Sequence, residues 1–182
     1  LAMAQGAVTA RDRRALINLL AAFYAKARSR AMLPARYVEL LRGRLDENSS
    51  ALSAADLRLS RVAVTRVVQE QRHFIDSNIE LLGTRAARLV EGHGDLRPEH
   101  VYLGSRLDEP CVIDCLEFDA RLRRLDPVEE LAFLALECRR LGAEAFGRSV
   151  AQGVLAVMEV DIPESLMRFY MSQRALTRAK LA

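Results

Sequence analysis

Hydrophobic positions recur at helical spacing along most of this 182-residue chain, and the pattern breaks down in the middle. Thr9 predicts an N-cap for a helix reaching about Arg28, with Leu16, Leu19, Leu20 and Phe23 on one face. Pro34 suits the first turn of a second helix carrying Tyr37, Leu40, Leu41 and Leu45, and Asn48 to Ser50 predicts a polar break. A long helix is expected from about Ala54 to Leu82, through Val64, Val68, Ile75 and Ile79, with Gly83 as its stop or bend. From Ala87 the helical period gives way to short apolar runs, at Arg88–Val90, Val101–Leu103 and Cys111–Cys115. These predict strands, with a turn at Arg106 to Pro110. Asp126-Pro127 then opens a helix with the stripe Leu131, Leu134, Cys138 and Leu141, ended by Gly142. Two further helices fit Glu144–Val160 and Glu164–Lys180. The expectation is one domain, residues 1–182, mainly α with a small β insertion.

Composition narrows the classes. Alanine, leucine and arginine are abundant, which favours helices. The net charge is only +3, and arginines alternate with acids, so a solvated helical surface explains them and no nucleic-acid partner is expected. No apolar run has the length of a membrane span, and no signal peptide opens the chain. Three cysteines argue against a disulfide framework, and Cys111 and Cys115 on one strand would lie about 13 Å apart. A cytoplasmic setting fits.

The chemistry concentrates in the β insertion. His93 to Leu103 reads HGDLRPEHVYL, and Cys111 to Phe118 reads CVIDCLEF. Asp95 falls in a loop, and Asp114 at the end of an apolar run nineteen residues later. Alone, an aspartate after glycine is a turn-capping residue. Two aspartates at this spacing fit phosphoryl transfer, in which one carboxylate orients an acceptor hydroxyl and the other holds Mg²⁺. The apolar Val112-Ile113 before Asp114 makes an idle carboxylate there costly. His93 is read as loop support and Gly94 as the source of backbone freedom beside it. A zinc site from His93, His100, Cys111 and Cys115 has suitable ligand types, but no close C-x-x-C or H-x-x-x-H spacing supports it.

HGDLRPEH with IDCLEF, followed by LDPVEELAFL, resembles the aminoglycoside phosphotransferase-like family of the protein-kinase-like superfamily. The likeness is strongest to bacterial members, some of them fused to an ATP-binding P-loop domain. It spans Leu1 to Ala182 in outline, and its specific part runs from Glu91 to Leu134. It implies the helical C-terminal lobe of a protein-kinase-like fold, with ATP as co-substrate and Mg²⁺ as cofactor. Asp95 then takes the catalytic position and Asp114 the metal position. Arg97 stands near the transferred phosphate, and Glu117 and Asp119 face the acceptor. His100 stands where the family usually has asparagine, and imidazole suits transition metals better than Mg²⁺. For Asp126, Glu129 and Glu130 the simpler reading is helix-start carboxylates favoured by the dipole.

No G-x-G-x-x-G, no strand lysine and no P-loop occurs, so an N-terminal ATP-binding lobe of the same polypeptide is expected upstream of Leu1. The expected function is an ATP- and Mg²⁺-dependent phosphotransferase acting on a small-molecule hydroxyl, inactive as this isolated lobe. The alternative is a pseudokinase-like module that binds a ligand or partner without phosphotransfer. A helical nucleic-acid or protein-interaction domain is the third reading.

Overall fold

The computed structural model describes residues 8–54, 60–103 and 110–181. Helix α1, Ala10–Lys26, starts from a capping box: the Thr9 hydroxyl accepts from the Asp12 amide, and the Asp12 carboxylate accepts from the Thr9 amide. Its buried stripe is Leu16, Leu20 and Tyr24, while Phe23 stays 40% exposed, so the inward face is rotated from the one expected. Helix α2, Pro34–Ala54, runs straight through the expected break at Asn48. Asn48 is buried, and its amide donates to the Thr177 hydroxyl at 3.1 Å, so a polar residue that would end an isolated helix is satisfied by another helix.

The single long helix expected over 54–82 is two helices, α3 Arg61–Ser77 and α4 Ile79–Arg85; the start of that segment, 55–59, lies outside the described residues. The chain bends at Asn78, where the helical dihedrals lapse and the side-chain amide donates back to the Phe74 carbonyl. Gly83 sits inside α4, pressed against Pro34; a Cβ there would come within 3.2 Å of that ring.

The β insertion is smaller than expected. Strand β1, Val90–Glu91, pairs antiparallel with β4, Arg124–Leu125, and β2, Val101–Tyr102, pairs antiparallel with β3, Cys111–Val112. The expected strand over Cys111–Cys115 ends at Val112, because Asp114 has a left-handed backbone (φ 64°). Of the expected turn at Arg106 to Pro110, residues 106–109 lie outside the described residues.

Helix α5, Pro127–Arg140, is the hub. Asp126 N-caps it, accepting from the Val128 amide, and Leu141 and Gly142 (φ 77°) end it. Helices α6, Glu144–Val157, and α7, Glu164–Leu181, pack along it. Residues 125–135 are all buried, well beyond the stripe of leucines. The burial includes the acids read above as helix-start carboxylates, and Glu137 with them. Asp126 takes a bidentate Arg85 guanidinium at 2.7 and 2.8 Å and the Tyr170 hydroxyl at 3.1 Å. Glu129 pairs with Arg44 and Arg174, and Glu137 with Arg140 and Arg178. A charge this deep needs a cation or converging donors, and for these three acids arginines from α2, α4 and α7 supply it and hold the hub helix. No helix among the described residues is long and apolar enough to cross a membrane.

Burial raises the pKa of Glu129, but Arg174 and Arg44 together lower it by more, leaving it below the ordinary carboxylate value. A depressed folded-state value stabilises above the unfolded value, about 4.3, and that contribution fades as pH falls through the folded one. The denaturation midpoint should therefore drop on titration from pH 6 towards pH 3. In Glu129→Gln it should start lower and fall less steeply. Parallel slopes in urea melts of the two proteins would rule this linkage out.

Candidate active site

The site is built from two segments laced to each other and hung from α5. The first is the loop 92–100. Glu130, fully buried on α5, accepts from the backbone amides of His93 at 3.1 Å and Gly94 at 2.5 Å. It also accepts from the Tyr24 hydroxyl at 2.9 Å. Burial first, and then the Glu130 charge, raises the Tyr24 phenol well above its ordinary value, so it stays a donor. Gly92 passes so close that a Cβ would sit 2.9 Å from the Glu130 carboxylate. Gly94 has φ 87°, and its carbonyl faces Arg174.

The second segment follows β3. His93 Nδ1 accepts from the Asp95 amide, which leaves Nε2–H to donate to the Ile113 carbonyl at 2.8 Å. The Ile113 amide donates to the His100 carbonyl and the Leu116 amide to the His93 carbonyl, both at 3.0 Å. These three bonds lace the segments together, and Asp95 and Asp114 come to line one open cleft of about 810 Å³. His93 is thus the loop support expected of it. Glu99, His100 and Glu117 share the cleft, with Tyr102, Ile113 and Phe118 as an apolar wall.

Asp114 is no buried strand-end acid. Its left-handed backbone turns the side chain outward, and the side chain is 72% exposed. It lies 3.2 Å from His100 Nε2, while His100 Nδ1 faces the Asp95 backbone oxygen at 2.8 Å. Arg97 sits between the acids: Nε and Nη2 reach Asp95 Oδ2 at 3.0 and 2.9 Å, Nη1 reaches Glu99 at 2.8 Å, and Nη2 reaches His100 Nε2 at 3.1 Å. Asp119 is not among the residues lining the cleft; its carboxylate is held by Arg121, whose hydrogen bonds keep it more acidic than usual.

Sequence reasoning brought forward Asp95, Arg97, His100, Asp114 and Glu117, which the fold assembles. It took Glu130 for a helix-start carboxylate and passed over Tyr24 and Arg174. The signal for Glu130 was present: the unbroken apolar run from Leu131 to Leu136 directly after two glutamates marks a helix buried on every side, where a carboxylate needs a partner.

Among the described residues, no three His, Cys, Asp or Glu side chains converge as a metal cage, so the zinc quartet considered above does not form. A Mg²⁺-type ion needs only one or two carboxylates, completing its shell with water and phosphate. Exposed Asp114 meets that requirement.

No protein-family model matches the chain, and no solved structure matches it. Curated relatives include an uncharacterized protein of Mycobacterium bovis and uncharacterized proteins of two Mycobacterium tuberculosis strains. Each is 32% identical over 171 residues, which is 92% of this chain and 34% of the relative. The chain spans about a third of the length of these relatives.

Glu130→Ala leaves three donors without their acceptor, at about 1–3 kcal/mol for each one buried and unpaired. Hydrogen exchange should then show the His93 and Gly94 amides losing protection ahead of those in α2. Unchanged protection at both amides would remove Glu130 as the anchor of the loop.

Proposed function

We propose that this chain is the catalytic-loop and substrate lobe of an ATP- and divalent-cation-dependent phosphotransferase, of protein-kinase-like fold, acting on the hydroxyl of a small molecule. One observation carries the reading: two aspartates from separate segments line one water-accessible cleft, each fixed by backbone hydrogen bonds around it. Phosphoryl transfer asks a protein mainly for position and charge compensation, and this arrangement supplies both.

In this reading Asp95 orients the acceptor hydroxyl and takes its proton as the oxygen bonds to the γ-phosphorus and the bond to the ADP oxygen breaks. Asp114, with His100 beside it, would hold the cation. Mg²⁺ is the ordinary choice, and when bound it would compensate phosphate charge. Arg97 would exchange one of its present carboxylate partners for a phosphate oxygen, a role its planar fork suits. Glu117 and the wall of Tyr102, Ile113 and Phe118 would face the acceptor. A lobe packed over the cleft would hold most of the nucleotide.

A second reading, a binding module without phosphotransfer, draws on Arg97, which already neutralises Asp95. The two readings part on turnover. In a protein of the relatives' full length, ATP consumption driven by an alcohol or sugar panel should fall at least about 100-fold in Asp95→Asn, the scale of losing a positioned base. Asp114→Ala should abolish it. Full activity in Asp95→Asn would remove that residue from the mechanism, and metal-independent nucleotide binding without turnover would favour the binding module.

A further inference from the structure

The contacts of His100 Nε2 contain a contradiction. Nδ1 faces a backbone carbonyl, which only accepts, so Nδ1 carries a proton. Nε2 faces two groups of opposite character: Arg97 Nη2, which only donates, at 3.1 Å, and Asp114 Oδ2, a carboxylate oxygen, at 3.2 Å. With a bare Nε2 the Arg97 contact is a hydrogen bond and the Asp114 oxygen faces a lone pair. With a protonated Nε2 the Asp114 contact is satisfied and Arg97 faces a like charge. Neither state serves both neighbours.

A divalent cation removes the contradiction, because the imidazole nitrogen and the carboxylate oxygen can both donate to it. The spacing suits this. Metal–ligand bonds of about 2.1 Å put neighbouring ligands about 3.0 Å apart in an octahedron and about 3.4 Å apart in a tetrahedron. The observed 3.2 Å lies between them. The outer contact is also in place, since a metal-bound histidine usually donates its other N–H to a carbonyl or carboxylate, which fixes the ring. Arg97 can leave Nε2 and keep its bonds to Asp95 and Glu99.

We propose that His100 Nε2 and Asp114 Oδ2 form a mixed nitrogen–oxygen seat for a first-row transition cation, preferring manganese to magnesium, and that Arg97 Nη2 competes with the ion for it. The proposal deepens the phosphotransferase reading by naming its cation. Its chemistry follows from ligand type: Mg²⁺ demands oxygen and sheds water reluctantly, whereas imidazole binds first-row transition ions well.

The test uses Mn²⁺ alone with the purified chain, read by pulsed electron paramagnetic resonance. The spectrum should carry ¹⁴N coupling from one bound imidazole, and Mg²⁺ should displace Mn²⁺ only at more than about 10-fold higher concentration. His100→Asn should erase the nitrogen coupling and bring the two metals within a few-fold of each other. Asp114→Asn, at an exposed position whose loss leaves the core untouched, should weaken Mn²⁺ binding about 10-fold or more. Arg97→Gln should tighten it several-fold. Absent nitrogen coupling, coupling that survives in His100→Asn, or equal competition by Mg²⁺ overturns the seat; unchanged affinity in Arg97→Gln overturns the competition. Coupling in this chain beside no turnover in a protein of the relatives' full length would sink the phosphotransferase reading alone, and turnover in that protein without coupling would sink this one alone.

Discussion

One buried carboxylate, Glu130, governs the geometry of this molecule. It has no cationic partner of its own among the described residues; its oxygens are taken by two backbone amides and a phenol. A charge in that position is stable only because each donor points at it, and the donors are held there only because the charge is present. The dependence runs both ways, so the loop carrying Asp95 takes its place from the hub helix and not from the short strands beside it. Two-residue ladders are too short to fix the loop by themselves.

The acids flanking Glu130 solve a different problem. Asp126, Glu129 and Glu137 are matched to arginines on α2, α4 and α7, which ties the hub helix to its surroundings in orientation as well as depth. Arg174 joins the two systems: it pairs with Glu129, stacks over Phe133 at 5.0 Å and faces the Gly94 carbonyl. Through it the last long helix bears on the same loop as the hub.

Much of this was legible in the sequence. The helices at Thr9, Pro34, Asp126, Glu144 and Glu164 announce themselves through caps and apolar period, because those signals act locally. Asp95, His100 and Asp114 stand out through residue type and spacing. What escaped depends on partners far along the chain. Asn48 looks like a breaker until Thr177 arrives to satisfy it, and Glu130 looks like a helix-dipole acid until the loop 93–94 folds onto it. Asp114 looked buried after two apolar residues, but its left-handed backbone reverses its direction, and no periodicity encodes that.

The lacing of loop 93–100 to the segment around Ile113 has a mechanical consequence. Hydrogen bonds from both ends of one stretch to the other make the two aspartates parts of a single stiff plate. Neither can swing away without tearing several bonds at once, which belongs to the slow regime of local unfolding. The spacing of the two aspartates is therefore kept whatever enters or leaves the cleft.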